Sequence, residues 1–325
     1  MVAVQKPVVG ITHDFKYSVV VPVFNEKGSI ASLHKEILVV MRSLNDSFEI
    51  LYVDDGSTDG TLDVLKTLNP SKVIVLNRNY GQATALDAGF KASKGEIVIS
   101  LDGDGQNVPS DIPKLLDKLN SDNLDVVAGW RYKRKDSLGT RILTKTGRFF
   151  RRLFMRDGVH DSGCTLRVYR SLAVKSLDLQ GEMHRYILGL LKWKGFLIGE
   201  LKVSHRKRLN GKSKYGPSKA VRGFLDLLYV WFINKYSQRP LHAFGYASVL
   251  AFFLGLASLT QSVVARAVWG LSLNRNGFFF LGFFFIIISI MFFSFGILSD
   301  ILIKVHLNTS PYESRYYVRE VLGYD

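Results

Sequence analysis

The sequence predicts an α/β protein with a doubly wound, mostly parallel sheet, followed by an amphipathic interfacial helix and two transmembrane helices. Three observations support this fold class. Short apolar segments of strand length alternate with segments of helical periodicity over the first two thirds of the chain, which is typical of βαβ units. Polar residues follow directly after several of these strands. Finally, nearly all long apolar runs lie in the last third, and two of them are long enough to cross a bilayer.

The predicted strands are apolar and rich in β-branched residues, as expected for strands covered on both faces. They comprise residues 17–24, 49–53, 72–76, 97–101, 125–129 and 200–203. Ser29 is a candidate N-cap of the first helix, and Asp59 or Thr61 of the second. Ligands bind at the carboxyl ends of strands in open α/β sheets. The polar residues after these strands therefore predict one shared site.

The stretch from Ile97 to Gln106 carries the clearest chemical signal. A buried strand runs into Asp102, Asp104 and Gln106, whose side chains offer only oxygen ligands. This set suits Mg²⁺ or Mn²⁺ held by few protein groups, with a substrate phosphate completing the shell. The alternative is a plain turn rich in aspartate and glycine. The other motifs at the same edge favour the metal site.

Composition and missing motifs exclude several classes of site. No G-x-G-x-x-G follows the first strand, and no P-loop stands in a strand–loop–helix context. The single cysteine, Cys164, excludes an intrachain disulfide and a cysteine-based metal site. The formal charge of +15 indicates an anionic partner, which is nucleic acid, a phosphate-bearing substrate or anionic lipid. The two predicted spans make nucleic acid the weakest of these.

The predicted organisation has five parts. Residues 1–16 form an extension without the apolar core of a signal peptide, 17–217 a catalytic domain, 218–240 an amphipathic juxtamembrane helix, 241–305 two spans at about 244–265 and 278–303, and 306–325 a tail. Two spans place both termini on one side of the membrane. The basic N-terminal part and its compact α/β domain favour the cytoplasm. The amphipathic segment and the aromatic second span leave a homo-oligomer open.

Two basic segments have alternative interpretations. Arg148, Arg151, Arg152 and Arg156 share one helix face, which is either a solvated cationic surface or an interfacial helix drawn to anionic lipid. The loop 205–216 is basic and contains glycine, as a phosphate-binding loop would be.

Six motifs occur together, in order, between Tyr17 and about Phe224. They are PVFNE at 22–26, VDDGSTDGT at 53–61, LDGDGQ at 101–106, DSGCTL at 161–166, GEMHR at 181–185 and GKSKYG at 211–216. This set resembles glycosyltransferase family 2, with its GT-A fold. More narrowly it is similar to the polyprenyl-phosphate glycosyltransferases, the group of dolichyl-phosphate mannose synthase and its bacterial relatives. The tail with two spans fits one branch of that group.

The resemblance implies roles for individual residues. A nucleotide pocket would contain Pro22, Phe24, Glu26, Asp54 or Asp55, and Arg78, while Asp102, Asp104 and Gln106 would hold the metal. Arg131, together with Arg141, would meet the acceptor phosphate. Arg206, Lys212 and Lys214 would neutralise the donor diphosphate. Glu182 and His184 either bind sugar hydroxyls or are ordinary residues at a helix start.

The implied reaction is inverting transfer of a hexose from a UDP- or GDP-sugar to polyprenyl (dolichyl or undecaprenyl) monophosphate, with Asp102, Asp104, Arg131 and Arg141 as catalytic residues. Two alternatives remain. A processive polysaccharide synthase would carry a Q-x-x-R-W motif and more spans, and the sequence has neither. A non-enzymatic, membrane-anchored nucleotide-sugar binding protein would not need Asp102, Asp104 and Gln106. The sequence does not distinguish the base, the sugar or the isoprenoid length.

Overall fold

A computed structural model of the chain describes residues 13–131, 154–155, 158–206, 225, 227–232, 235–236, 240–309 and 318–323. The chain forms two units. The first comprises residues 1–228 and 315–325, and the second comprises residues 229–314.

The first unit is an α/β structure built on one sheet of eight strands. Its strands are β1 (Phe15–Val23), β2 (Phe48–Asp54), β3 (Lys72–Leu76), β4 (Gly95–Ser100), β5 (Val126–Arg131), β6 (Arg167–Arg170), β7 (Ile198–Val203) and β8 (Val318–Leu322). Its helices are α1 (Ile30–Ser43), α2 (Thr61–Thr67), α3 (Gln82–Ala92), α4 (Ile112–Ser121), α5 (Ser171–Lys175) and α6 (Ile187–Trp193), with 3₁₀ turns at Pro109–Asp111 and Met183–Arg185. The predicted strands are confirmed, with ends that differ by one or two residues.

The strand order is β7-β5-β6-β4-β1-β2-β3-β8. Strands β1 to β4 form a parallel set, and β5 is parallel to β7. Between these two sets lies β6, which is antiparallel to both neighbours. The predicted mostly parallel sheet is therefore confirmed, with β6 and β8 as its antiparallel members.

The core lies on both faces of the central strand β1, whose residues from Tyr17 to Val23 are buried. Val19 and Val21 pack in the cluster that contains the apolar side of α1 and α4. On the other face, a Cβ built at Gly89 of α3 would lie 2.4 Å from Val20 Cγ1. Helix α3 therefore needs a glycine here to approach the sheet, and this close packing fixes its N-terminus at the carboxyl edge of β1 and β4.

The loops after β1 and β2 are tied to each other. Asn25 adopts a left-handed conformation with φ 56°, and its backbone N–H donates to Ser57 Oγ at 3.0 Å. Thr58 N donates to Asn25 Oδ1 at 2.8 Å, and Asp55 N donates to Val23 O at 2.9 Å. These bonds hold the two loops as one rigid rim of the sheet.

The predicted helix caps are partly correct. Ser29 occupies the N-cap position of α1, but its hydroxyl donates to Gly103 O at 2.9 Å instead of capping the helix. Gly60 is the N-cap of α2, and Asp59 Oδ1 accepts the Thr61 N–H at 2.9 Å.

Strand β8 lies within residues 306–325, which the sequence analysis describes only as a tail. Val318–Leu322 pairs antiparallel with β3, so the end of the chain completes the sheet of the first unit. Gly323 ends this strand with φ 89°, and a Cβ there would lie 2.3 Å from Ser71 O. The chain thus leaves the first unit, passes through the second and returns to the first.

The second unit contains two long helices, α7 (Pro240–Trp269) and α8 (Gly277–Thr309). Both are long and apolar enough to cross a membrane, as predicted for 244–265 and 278–303. The buried positions of α7 between 248 and 265 are small residues spaced alternately three and four apart: Ser248, Ala251, Gly255, Ser258, Ser262 and Ala265. They form a narrow seam against α8, where Ser248 and Ser289 hydroxyls lie 3.1 Å apart. Small residues let two membrane helices approach closely.

The predicted amphipathic helix over 218–240 falls largely outside the residues that the structure describes. The same holds for the basic positions Arg148, Arg151, Arg152 and Arg156.

Candidate active site

A cavity of about 330 Å³ opens at the carboxyl edge of β1, β2 and β4. Its walls come from the ends of β1, β2, β3 and β4 with the four loops that follow them, and from the start of α3: Pro22, Val23, Phe24, Glu26, Asp55, Asn79, Gly81, Gln82, Ala85, Asp102, Gly103 and Asp104. Six residues of the predicted site, namely Pro22, Phe24, Glu26, Asp55, Asp102 and Asp104, therefore lie together. The size is within the range of small-molecule sites.

Of the two aspartates after β2, Asp55 lines the cavity and Asp54 does not. Asp55 Oδ1 accepts the Tyr80 N–H at 2.7 Å and Oδ2 the Gly81 N–H at 2.9 Å, so it fixes the entry to α3. The pKa of Asp55 is raised by burial, which outweighs these hydrogen bonds. Asp54 is buried and accepts the Ser57 N–H, which indicates a role in the loop.

Asp102 and Asp104 face the cavity from the loop after β4. Asp102 Oδ1 accepts a hydrogen bond from Gln82 Nε2 at 2.7 Å. Burial and the charge of Asp104 raise the pKa of Asp102 to about 6, and Thr165 opposes this shift by hydrogen bonding. The loop is closed by the Gln106 N–H, which donates to Asp104 Oδ1 at 3.0 Å. Both carboxylates line the same cavity and Asp102 is partly buried, an arrangement that a bound cation would stabilise.

The donor set of this pair fits Mg²⁺ or Mn²⁺. Both ions take oxygen ligands, and Mg²⁺ is commonly held by one or two carboxylates with substrate phosphates and waters. Among the described residues, no three His, Cys, Asp or Glu side chains gather into a closed metal cage. The open pair Asp102 and Asp104 therefore suits an ion shared with a ligand.

Gln106, the third predicted metal ligand, does not line the cavity. Its Nε2 lies 3.5 Å from Arg206 O, and the Arg206 N–H donates to Gln106 O at 2.9 Å. The guanidinium of Arg206 pairs with Glu36 of α1 at 2.7 Å. The structure thus ties Arg206 to the loop after β4 through the backbone, while its side chain points to α1.

Arg131 lies at the end of β5 with its guanidinium paired to Asp161. Nε donates to Asp161 Oδ2 at 2.7 Å and Nη2 to Oδ1 at 2.9 Å. Arg131 does not line the cavity, but β6 is antiparallel to both β4 and β5, so the carboxyl end of β5, where Arg131 lies, is at the same edge of the sheet as the loop of Asp102. Arg78 instead stacks over the Tyr80 ring, with Cζ 4.6 Å from the centroid.

Glu182 and His184 have different surroundings. Glu182 is half-exposed and pairs with Arg185 at 2.8 Å. His184 Nδ1 is buried, and among the described residues it finds no hydrogen-bond partner. Burial and the charges of Arg185 and Arg167 lower the pKa of His184 to about 3, so its imidazole is neutral at physiological pH.

Three predicted site residues, Arg141, Lys212 and Lys214, lie outside the described residues. Conversely, the sequence analysis gives no role to Gln82, Asp161 or Glu200. Gln82 follows the third strand in a polar segment that could have marked it as part of the edge. Asp161 begins the DSGCTL motif at 161–166, but that motif does not identify its partner. The contacts of Asp161 and Glu200 depend on tertiary structure.

The comparisons with known proteins agree with this geometry. The sequence profile described as glycosyl transferase family 2 matches residues 18–177. The dodecaprenyl-phosphate galacturonate synthase of Rhizobium johnstonii is 34% identical over 321 residues, which is 94% of this chain and 92% of that protein. The chain belongs to glycosyltransferase family 2.

A second relative of this family 2 glycosyltransferase is the undecaprenyl-phosphate 4-deoxy-4-formamido-L-arabinose transferase of Edwardsiella ictaluri. It is 33% identical over 322 residues, covering 95% of this chain and 96% of the relative. Both matches extend through the apolar helices.

Two solved structures share the GT-A fold of the first unit. Mannosyl-3-phosphoglycerate synthase of Rubrobacter xylanophilus aligns with a TM-score of 0.56 and 17% identity, over 67% of this chain and 74% of that one. Glucosyl-3-phosphoglycerate synthase of Mycobacterium tuberculosis was crystallised with Mn²⁺, UDP and glucosyl-3-phosphoglycerate. It aligns with a TM-score of 0.53 and 17% identity, over 68% of this chain and 80% of that one. These likenesses establish the fold.

Proposed function

We propose that this family 2 glycosyltransferase moves a sugar from a nucleotide-diphosphate sugar to a polyprenyl monophosphate, with inversion at the anomeric carbon. The observation that carries the proposal is the pair Asp102 and Asp104 in the cavity, with Arg131 at the end of β5 on the same edge of the sheet. The two long apolar helices and the polyprenyl-phosphate substrates in both relatives' names support a lipid acceptor.

Asp102 and Asp104 would hold Mg²⁺ or Mn²⁺, with Gln106 as a further candidate ligand. Such an ion would neutralise charge that develops on the leaving diphosphate. The Mn²⁺ and UDP in the mycobacterial glucosyl-3-phosphoglycerate synthase structure are compatible with this assignment. Gln82 keeps Asp102 oriented through its hydrogen bond.

The acceptor needs positioning more than activation. A phosphate monoester has a second pKa near 6, so it is largely a dianion at pH 7 and can attack without a general base. Arg131, and Arg141 with it, would hold the phosphate, because a guanidinium binds phosphate oxygens in a fork. This differs from a sugar acceptor, whose hydroxyl must lose a proton during attack.

The donor would occupy the cavity. Phe24 is 44% exposed and offers a ring face to the nucleotide, next to Pro22, Glu26 and Asp55. Arg78 lies near this rim, and Asp54 supports it from the loop. Glu182 and the neutral His184 would bind sugar hydroxyls.

Arg206, Lys212 and Lys214 would neutralise the donor diphosphate. For Arg206 this requires release from Glu36, its partner in the structure.

The names of the two relatives contain different sugars, galacturonate and a formamido-arabinose, so the transferred sugar differs between these relatives. We propose a hexose or hexuronic acid carried by UDP or GDP. The two apolar helices would anchor the enzyme in the cell membrane as a multi-pass protein. The pairing of β8 with β3 supports a topology with the C-terminal strand on the same side of the membrane as the catalytic unit, and we propose the cytoplasm for that side. A homo-oligomer stays a prediction.

The test is incubation of the purified full chain in detergent with undecaprenyl phosphate, Mn²⁺ or Mg²⁺, and a panel of UDP- and GDP-sugars. Mass spectrometry would detect the glycolipid, and free nucleotide diphosphate would be measured in parallel. Glycolipid from one donor would support the proposal. Polymer without lipid monoglycoside would indicate a processive synthase, and binding without turnover of any donor would indicate a binding protein.

A further inference from the structure

The arginine proposed for the acceptor phosphate is held in one orientation by the protein. Arg131 is 14% exposed, and its side chain makes a bidentate contact with Asp161, whose side chain is 15% exposed. The backbone N–H of Arg131 donates to Asp161 Oδ2 as well, at 3.2 Å. A guanidinium has five N–H donors in a fixed plane. The two donors bound to Asp161 therefore fix that plane.

The remaining edge of the guanidinium carries Nη1, because Nε and Nη2 donate to Asp161. Among the described residues, no group accepts a hydrogen bond from Arg131 Nη1. Arg131 is the last residue of β5, whose carboxyl end lies at the same edge of the sheet as that of β4, because β6 is antiparallel to both strands. A Cβ built at Gly163 would lie 2.9 Å from Nη2, so the loop backbone closes over this edge of the guanidinium. Nη1 thus remains as the donor for an anion at the carboxyl edge.

Asp161 is itself held by a second carboxylate, Glu200 of β7. The backbone N–H of Asp161 donates to Glu200 Oε1 at 3.1 Å, and the N–H of His160 donates to both carboxylate oxygens at 2.8 Å. His160 Nδ1 lies 2.9 Å from Oε2, which assigns a hydrogen to Nδ1. The Glu200 side chain is 11% exposed. It therefore clamps the loop that carries Asp161.

Asp161 and Arg131 are both charged in the folded protein, which strengthens their contact. Burial acts to raise the pKa of Asp161, but the hydrogen bonds and charge of Arg131 outweigh it and hold that pKa below its usual range. The bidentate pair is therefore ionised at neutral pH. Because a charge-assisted bidentate contact is strongly directional, the orientation of Arg131 persists without a ligand.

We propose that Asp161 and Glu200 are positioning residues for the phosphate acceptor, acting in series through Arg131. The inference rests on the proposed transfer to polyprenyl phosphate. Glu200 fixes the 160–163 loop, Asp161 on that loop fixes the guanidinium plane, and Arg131 Nη1 meets the phosphate oxygen. Neither carboxylate contacts the substrate.

The test compares full-length Asp161→Asn and Glu200→Gln enzymes with matched controls that remove a carboxylate from an exposed ion pair. The controls are Asp122→Asn, which loses the contact with Lys118, and Glu96→Gln, which loses the contact with Lys16. For Asp161→Asn we expect about a 10- to 100-fold fall in kcat/KM for undecaprenyl phosphate, as misplaced binding groups cause. Glu200→Gln should lose less, because its remaining amide oxygen still accepts an N–H. Binding of UDP with Mn²⁺, measured by calorimetry, should match the controls.

A double variant provides a second, independent readout. If Asp161 acts only through Arg131, Arg131→Ala with Asp161→Asn should be no worse than Arg131→Ala alone. Additive losses, equal loss of UDP binding, or acceptor kinetics equal to those of the controls would overturn the proposal.

If the wild-type enzyme makes no glycolipid, the proposed function fails, and calorimetric binding of farnesyl phosphate decides the positioning role. Weaker binding by Asp161→Asn than by Asp122→Asn would support that role. Equal binding would overturn it.

Discussion

Replacing Gln82 with leucine removes the amide that donates to Asp102 Oδ1 at 2.7 Å while keeping the side-chain volume nearly constant. A hydrogen bond to a charged group contributes about 1.5–3 kcal/mol, and the loss leaves a partly buried carboxylate with one donor fewer. Loss of such an outer contact to a metal ligand weakens metal binding by about 10- to 100-fold. We therefore expect Mn²⁺ affinity in the presence of UDP to fall by that factor.

The loss of Mn²⁺ affinity in Gln82→Leu should also depend on pH. Asp102 has a pKa of about 6, because burial and Asp104 favour its protonated form. Removing a donor to the carboxylate raises this pKa further, and Mn²⁺ binds the ionised form. The loss should accordingly be greater at pH 6 than at pH 8.

Electron paramagnetic resonance of free Mn²⁺ measures this affinity directly. Gln180→Leu, at an exposed position, is the matched control. An affinity of Gln82→Leu within twofold of this control at both pH values would refute the role of Gln82 and of Asp102 at the metal.

Three further predictions concern stability. Because the pKa of His184 falls from 6.5 to about 3 on folding, the unfolded state takes up the proton first. Stability should drop by about 2 kcal/mol between pH 6.5 and 5, and His184→Gln should flatten this slope in denaturant titrations. A Cβ at Gly282 would lie 2.6 Å from a leucine of α7, whereas Gly277 has open space. Gly282→Ala should therefore destabilise the pair of helices α7 and α8 in detergent by about 1–3 kcal/mol, and Gly277→Ala should not. Equal effects of the two substitutions would contradict the close packing of α7 on α8. Gly323→Ala should lower the thermal midpoint more than Gly195→Ala. Both glycines have a φ near +88°, but only at Gly323 would the added Cβ meet a backbone oxygen, at 2.3 Å. Equal shifts would argue against the pairing of β8.

The sheet and the cavity were largely predictable, because each strand is locally apolar and each polar loop follows directly after a strand. Asp102 and Asp104 could be placed by this rule alone. Strand β8 could not. Its sequence, VREVL, is short and half polar, and its partner β3 lies over 200 positions away in the chain. Residues 318–322 form a strand because they pair with the edge of β3.

The partners of charged side chains were the other unpredictable feature. Arg206 belongs to a basic loop and was expected at the donor phosphates, yet the structure pairs it with Glu36, 170 residues earlier in the chain. The role of Arg131, the last residue of β5, was implied by the family resemblance, but Asp161 and Glu200, which we propose to orient it, approach from separate elements. The position of a residue after a strand predicts that it lies at the carboxyl edge of the sheet. The charged side chain that it pairs with depends on tertiary packing.

The most direct test of the central claim is the stoichiometry and anomeric configuration of the product. Purified enzyme would be given an α-linked nucleotide sugar and undecaprenyl phosphate, and nucleotide diphosphate and glycolipid would be quantified together. We predict one β-linked lipid phosphosugar for each nucleotide diphosphate released, identified by the anomeric NMR coupling. An α-linked product, a polymer, or nucleotide release without lipid-linked sugar would contradict the account.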